Sequence, residues 1–180
     1  MNDILIQKLK KIKLIISDVD GVLTDGSIYI GSNGEEMKKF SVEDGAGVAL
    51  ARASGLIIAL LSGRFSSATD IRAKELKIED IYNGMLNKIP AYEELKRKYN
   101  LEDSEIVYIG DGLIDIPVME KVGIPVSVKN AHPTAKETAV YVTDKSGGSG
   151  ALQETIELVL KAQNQYDDAI NKMREKVLNL

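Results

Sequence analysis

The sequence predicts an α/β fold in which one parallel sheet lies between two layers of helices. Three observations carry that expectation. Short apolar runs of strand length recur along the chain, amphipathic segments separate them, and several runs end abruptly in polar or acidic residues. Buried parallel strands read as continuous apolar runs, and open α/β sheets bind ligands just beyond the carboxyl ends of their strands. Strands are expected at Leu14–Ser17, Ile57–Ser62, Ile81–Tyr82, Ile106–Ile109, Ile124–Val128 and Tyr141–Val142, with right-handed crossovers placing helices on both faces.

A chain of 180 residues is long enough for one well-buried core and too short for two, so residues 1–180 are read as a single domain. It has no cysteine, which excludes disulfides, thiolate metal sites and a thiol nucleophile, and a cytoplasmic location fits that composition. The net charge is -4, with Lys and Arg scattered rather than striped, so nucleic acid is not an expected partner. No apolar run reaches the roughly 18 residues of a membrane span, and the first residues mix charge with apolar side chains, unlike a signal peptide.

The first run, Leu14-Ile15-Ile16-Ser17, ends in Asp18 and Asp20. If the chain stays extended there, the two acids point the same way at period 2. Two like charges this close need a cation, a shared proton or separate roles, whereas the Asp20-Gly21 pair alone is also a common turn signal. Residues 27–40 read as a β-hairpin, because Gly31 and the Asn33-Gly34 pair supply the positive φ that such turns demand. An isolated hairpin is marginal in water, so this one is expected to pack on another subunit or to cover the acids. A small-residue helix follows from Ala46 to Ser54, closed by Gly55, with Asp44 as the expected N-cap.

The next strand ends in Ser62-Gly63-Arg64. The Ser62 hydroxyl and the N–H groups of Gly63 and Arg64 suit phosphoryl oxygens, and Arg64 or Arg72 suits a second anionic group. Amphipathic spacing predicts helices over Ser66–Leu76 and Ile89–Tyr99, with Pro90 tolerated in a first turn. Lys88 lies just before the second of these. The Val107-Tyr108-Ile109 run then ends in Asp111, with Asp115 four residues on and expected to face back toward it. Asp18, Asp20 and Asp111 together make a hard, oxygen-rich set of the kind that suits Mg²⁺. Residues 151–180 read as a C-terminal helix. Leu152, Ile156, Val159, Gln163, Tyr166, Ile170, Met173 and Val177 repeat at spacings of three and four, which suggests that the part beyond Leu160 makes a subunit contact or lids a neighbour's site.

Taken in order, Asp18-Val19-Asp20-Gly21-Val22-Leu23-Thr24, Ser62, Lys88 and Gly110-Asp111 with Asp115 resemble the four motifs of the haloacid dehalogenase superfamily. The segments Asp44-Gly45, Arg72 to Leu76, Asp115 to Met119, Asn130-Ala131-His132-Pro133 and Gly147-Gly148-Ser149-Gly150 are similar to its capless 3-deoxy-D-manno-octulosonate 8-phosphate phosphatase branch. That resemblance implies a three-layer Rossmann-like domain with no cap, and a homotetramer whose hairpins wall each pocket. It also implies an Asp18 nucleophile, an Asp20 acid/base, and Mg²⁺ held by Asp18, Asp20, Asp111 and Asp115. Ser62, Gly63, Arg64, Arg72, Lys88 and Asn130 are implied as substrate-binding. The reaction implied is hydrolysis of an octulosonate 8-phosphate. A nonulosonate 9-phosphate, a broader set of sugar phosphates and a catalytically weak partner protein are the alternatives. Three departures stand out: Gly112 where the branch commonly has a second aspartate, Ser149 where it often has arginine, and the helical C-terminus in place of a short flexible tail.

Overall fold

The computed structural model describes residues 3–178, apart from the side chain of Val177. Its elements in order are α1 (Asp3–Leu9), β1 (Leu14–Ser17), β2 (Tyr29–Ile30), β3 (Glu36–Met37), α2 (Val42–Ser54), β4 (Ile57–Ser62), α3 (Ser67–Leu76), β5 (Asp80–Asn83) and α4 (Ile89–Tyr99). They continue with β6 (Ile106–Gly110), α5 (Ile116–Met119), β7 (Ile124–Ser127), α6 (Pro133–Thr138), β8 (Tyr141–Val142), α7 (Ala151–Ala162) and α8 (Tyr166–Leu178). Six strands form one parallel sheet in the order β5-β4-β1-β6-β7-β8. The central strand β1 aligns Ser17 with Leu60 on one side and Ile109 on the other. From β1 the chain next adds strands on the β4 side and later on the β6 side. The carboxyl end of β1 therefore lies at the switch point where such sheets bind ligands.

Both faces of the sheet are dry. Leu14, Ile15 and Ile16 are fully buried, as are Ile106, Val107 and Ile109 beside them and Ile124 and Val126 beyond. Helices α1, α2, α7 and α8 pack together, and α4, α5 and α6 form a second group. That division is what right-handed crossovers on either side of β1 require. Gly31 and Gly34 turn the chain between β2 and β3, with Gly34 at φ +82 and the Gly31 N–H donating to the Glu35 carbonyl at 2.8 Å. The expected hairpin is present, but its paired strands are only two residues long each.

Two expectations need correction. Helix α2 begins at Val42, capped by Ser41, whose hydroxyl accepts from the Glu43 N–H at 3.1 Å. Asp44 is not its N-cap but a buried first-turn residue whose Oδ1 accepts from the Gln153 N–H at 3.1 Å. Glycine at position 150 leaves α7 without a capping side chain of its own, and Asp44 supplies one from α2. The C-terminal segment is also not one helix. It breaks at residues 163–165, where Asn164 adopts φ +57 and the Gln163 amide donates to the carbonyls of Leu9 and Ile12. Helix α8 then folds back against α2 of its own chain, burying Ala169 and partly burying Tyr166, Ile170 and Met173. Residues 179–180 and the Val177 side chain, the end of the expected seam, lie outside the described residues.

Candidate active site

At the carboxyl end of β1 the extended conformation stops. The N–H groups of Val22, Leu23 and Thr24 all converge on the Val19 carbonyl, so the chain winds into a single helical turn. Asp18 and Asp20 therefore diverge. Asp18 stays buried, with Oδ1 accepting from the Val19 N–H at 2.7 Å, while Asp20 stands at the rim and meets Lys38 from the hairpin at 2.7 Å. Gly21 lies against Asp111, whose Oδ2 is 2.1 Å from where a Cβ would stand, and its φ is +90. Only glycine allows this close approach.

Three carboxylates share the crevice. Asp18, Asp111 and Asp115 each offer an oxygen within 4.8 Å of the others. Between them sits Lys88, 1% exposed, with Nζ 2.9 Å from Asp18 Oδ1 and 2.6 Å from Asp115 Oδ1. Burial pushes its ammonium toward neutrality, but Asp18 and Asp115 outweigh that and hold its pKa above the ordinary value. One ammonium cannot balance three acids. Burial, opposed by Lys88 and reinforced by Asp115 and Asp111, raises Asp18 to about 7. Burial and the charge of Asp115 raise Asp111 to about 6. A cluster of hard oxygens with surplus negative charge fits a divalent cation. Asp115 contributes charge more than a free oxygen. Its Oδ1 accepts from Lys88 and from the Tyr108 hydroxyl at 2.5 Å, and its Oδ2 from the N–H groups of Asp111 and Gly112 at 3.0 Å each.

Ser62 lies at the end of β4, its hydroxyl donating to the Arg64 carbonyl at 2.8 Å, with Gly63 packed under Ile114. The Arg64 guanidinium pairs with Glu36 of the hairpin at the mouth. Arg72 stands apart from the acids. Its fork holds Glu75 at 2.8 Å and the Ser41 carbonyl at 3.0 Å, and it lies over the Phe40 ring. Asn130 accepts from the Gly147 N–H at 2.9 Å, and Gly148 donates to the Val22 carbonyl, so the late glycine loop braces the turn that carries Asp18 and Asp20. Gly112 has open space around it, with only Asp115 Oδ2 at 3.9 Å from a would-be Cβ, and Ser149 is exposed. Two members were missed in the sequence, Tyr108 and Lys38. For Tyr108 the signal was a lone hydroxyl in a buried aliphatic strand, and for Lys38 its period-2 partnership with Glu36. A cavity of about 1070 Å³ opens at the opposite, amino-terminal end of the strands beside Lys13, Glu105 and Gln163 and holds no comparable acid cluster among the described residues.

A parallel sheet with a buried aspartate after its central strand, a second acid two residues on, a lysine and a further acid pair fits a class of phosphoryl-transferring hydrolases. The chain belongs to the haloacid dehalogenase-like hydrolases, whose family model matches residues 56–154. Its relatives narrow the class. It is 45% identical over 164 residues to the 3-deoxy-D-manno-octulosonate 8-phosphate phosphatase KdsC of Escherichia coli K12, covering 91% of this chain and 87% of that one. The same phosphatase from Moraxella catarrhalis, solved with magnesium, phosphate and KDO, superposes with a TM-score of 0.92 at 42% identity, covering 96% of this chain and 99% of that one. A subfamily III A hydrolase from Legionella pneumophila gives 0.94 at 41% identity, covering 96% and 95%. The resemblance to the haloacid dehalogenase superfamily and its octulosonate-phosphatase branch is thus borne out.

Proposed function

We propose that the chain is a Mg²⁺-dependent phosphatase that converts 3-deoxy-D-manno-octulosonate 8-phosphate to the free sugar acid and phosphate. The observation that carries this reading is the buried Asp18–Lys88 pair at the switch point, flanked by Asp111 and Asp115. Relatives that span nearly the whole chain and bear that activity in their names support it. Asp18 attacks phosphorus while the bond to the sugar oxygen breaks, and Asp20 gives that oxygen a proton. Asp20 then takes a proton from water, which attacks the aspartyl phosphate, releases phosphate and restores Asp18. Asp18, Asp111 and the Asp20 carbonyl would hold the Mg²⁺, which supplies positive charge against the repulsion between nucleophile and phosphoryl group. Lys88 contributes its fixed charge beside the nucleophile. Tyr108 and Asp115 hold Lys88 in place, and Ser62 with the N–H groups of Gly63 and Arg64 receives phosphoryl oxygens.

Arg64, at the mouth and close enough to feel the charge of Asp20, is the nearer candidate for the sugar carboxylate, with Arg72 and Asn130 further out. Ile28, Tyr29, Ile30 and Met37 are exposed on the hairpin, and Ile30 is 68% exposed, which suits a subunit contact in a homotetramer. We assign the enzyme to the cytoplasm as a single catalytic domain. No helix among the described residues is long and apolar enough to cross a membrane. Side-by-side turnover of the octulosonate 8-phosphate and a nonulosonate 9-phosphate tests the substrate. Faster release from the first is expected, and equally slow release from both would point to a broader sugar-phosphate range. Light scattering tests the tetramer, and a chain ending near Lys161 tests whether α8 takes part in it.

A further inference from the structure

The hairpin bears two charged side chains at period 2, Glu36 and Lys38, and both turn toward the site. Lys38 Nζ donates to both carboxylate oxygens of Asp20, at 2.7 and 2.9 Å, and to the hydroxyl of the buried Thr69 at 3.4 Å. Its side chain is 2% exposed, although β2 and most of the hairpin around it face solvent. Glu36 pairs with Arg64 just beyond β4. Two ion pairs of opposite polarity thus bind the hairpin to two separate strand-end loops.

Exposed lysines rarely give up their hydration, because a solvated ion pair contributes little. Here the ammonium is desolvated and grips both oxygens of one carboxylate, which fixes the plane of a side chain that otherwise rotates freely at the rim. Acid–base catalysis depends on that geometry before anything else. We propose that Lys38 is a positioning residue that aims the Asp20 carboxylate at the leaving oxygen, so that the hairpin sets the acid/base geometry of this site. The proposal rests on the reading of Asp20 as the acid/base. Lys38 acts through Asp20 and makes no contribution of its own to phosphate binding.

A double-mutant cycle tests this on the full chain with Mg²⁺, measuring single-turnover phosphoryl transfer from the octulosonate 8-phosphate. Asp20→Asn is expected to slow transfer by about 10²–10⁴-fold. Lys38→Met alone is expected to slow it at least ~10-fold with little change in KM, but to add less than ~2-fold in the Asp20→Asn background, because the two residues act as one unit. Lys38→Gln, which keeps one amide donor, is expected to fall between the native chain and Lys38→Met. Lys38→Gln carries the same cycle if thermal melts show that the Met variant has lost its fold. Equal losses from the Lys38 change in both backgrounds would overturn the proposal, as would native rates for Lys38→Met. Native rates for Asp20→Asn would instead overturn the acid/base reading beneath it.

Discussion

Tyr108 carries the only hydroxyl in the otherwise apolar strand β6, and its position between Asp115 and Lys88 explains why it is tolerated. A buried hydroxyl needs a partner, and this one donates to Asp115 Oδ1 and accepts from Lys88 Nζ at 2.9 Å. Tyr108→Phe keeps the ring and removes both bonds. The expected result is a loss of about 1 kcal/mol, a melting temperature lower by about 2–4 °C, and a kcat several-fold lower at unchanged KM. An unchanged melting temperature and kcat would deny it a part in the cluster. The acids themselves were legible in the sequence, because a charge at the end of a buried run conflicts with its surroundings unless it has a function. Tyr108 was not, since an aromatic residue in a strand reads equally well as core. Nor was Lys38, since a hairpin lysine ordinarily stays solvated, and only the fold shows that Asp20 waits beneath it.

The limits of the six sheet strands were legible to within a residue or so, because β1, β4 and β8 are bounded by abrupt changes of polarity, whereas the hairpin strands are shorter than their pattern suggests. The cap of α7 and the break before α8 were not. The first depends on Asp44, more than a hundred residues earlier, and the second on carbonyls of Leu9 and Ile12 that accept from Gln163. Local pattern carries no trace of such partners. The same long reach gives the late glycine loop its role. A Cβ at Gly147 would stand 1.8 Å from the Gly21 carbonyl oxygen, backbone that has no room to yield without moving the turn after β1. Gly147→Ala is expected to lower kcat by about 10²-fold or more through displacement of Asp18 and Asp20. Native kcat in that variant would show that the turn does not depend on the loop.

Across the whole molecule, the site stores negative charge that folding alone does not neutralise. Asp18 and Asp111 rise from 3.8 to about 7 and about 6, so between pH 4 and 7 these two acids hold more protons in the metal-free folded chain than in the unfolded chain. Their contribution to stability then falls as pH rises through that window, by about 1.4 kcal/mol per pH unit for each proton involved. Asp44, raised by burial to about 6, adds to the slope but lies away from the cluster. Melting of the chelator-treated protein should therefore occur at lower temperature at pH 7.5 than at pH 5. Mg²⁺ should raise the melting temperature more at pH 7.5, where the carboxylates are ionised. A melting temperature that rises with pH in chelator, or an equal Mg²⁺ effect at both values, would argue against a metal-bearing acid cluster. The most direct test lies in the covalent step. After mixing with octulosonate 8-phosphate and Mg²⁺ and quenching in acid, mass spectrometry of the digested chain should find a phosphoryl adduct on Asp18. Asp18→Asn should form none and release no phosphate. An adduct elsewhere, or turnover by Asp18→Asn at the native rate, would contradict the assignment of Asp18 as nucleophile.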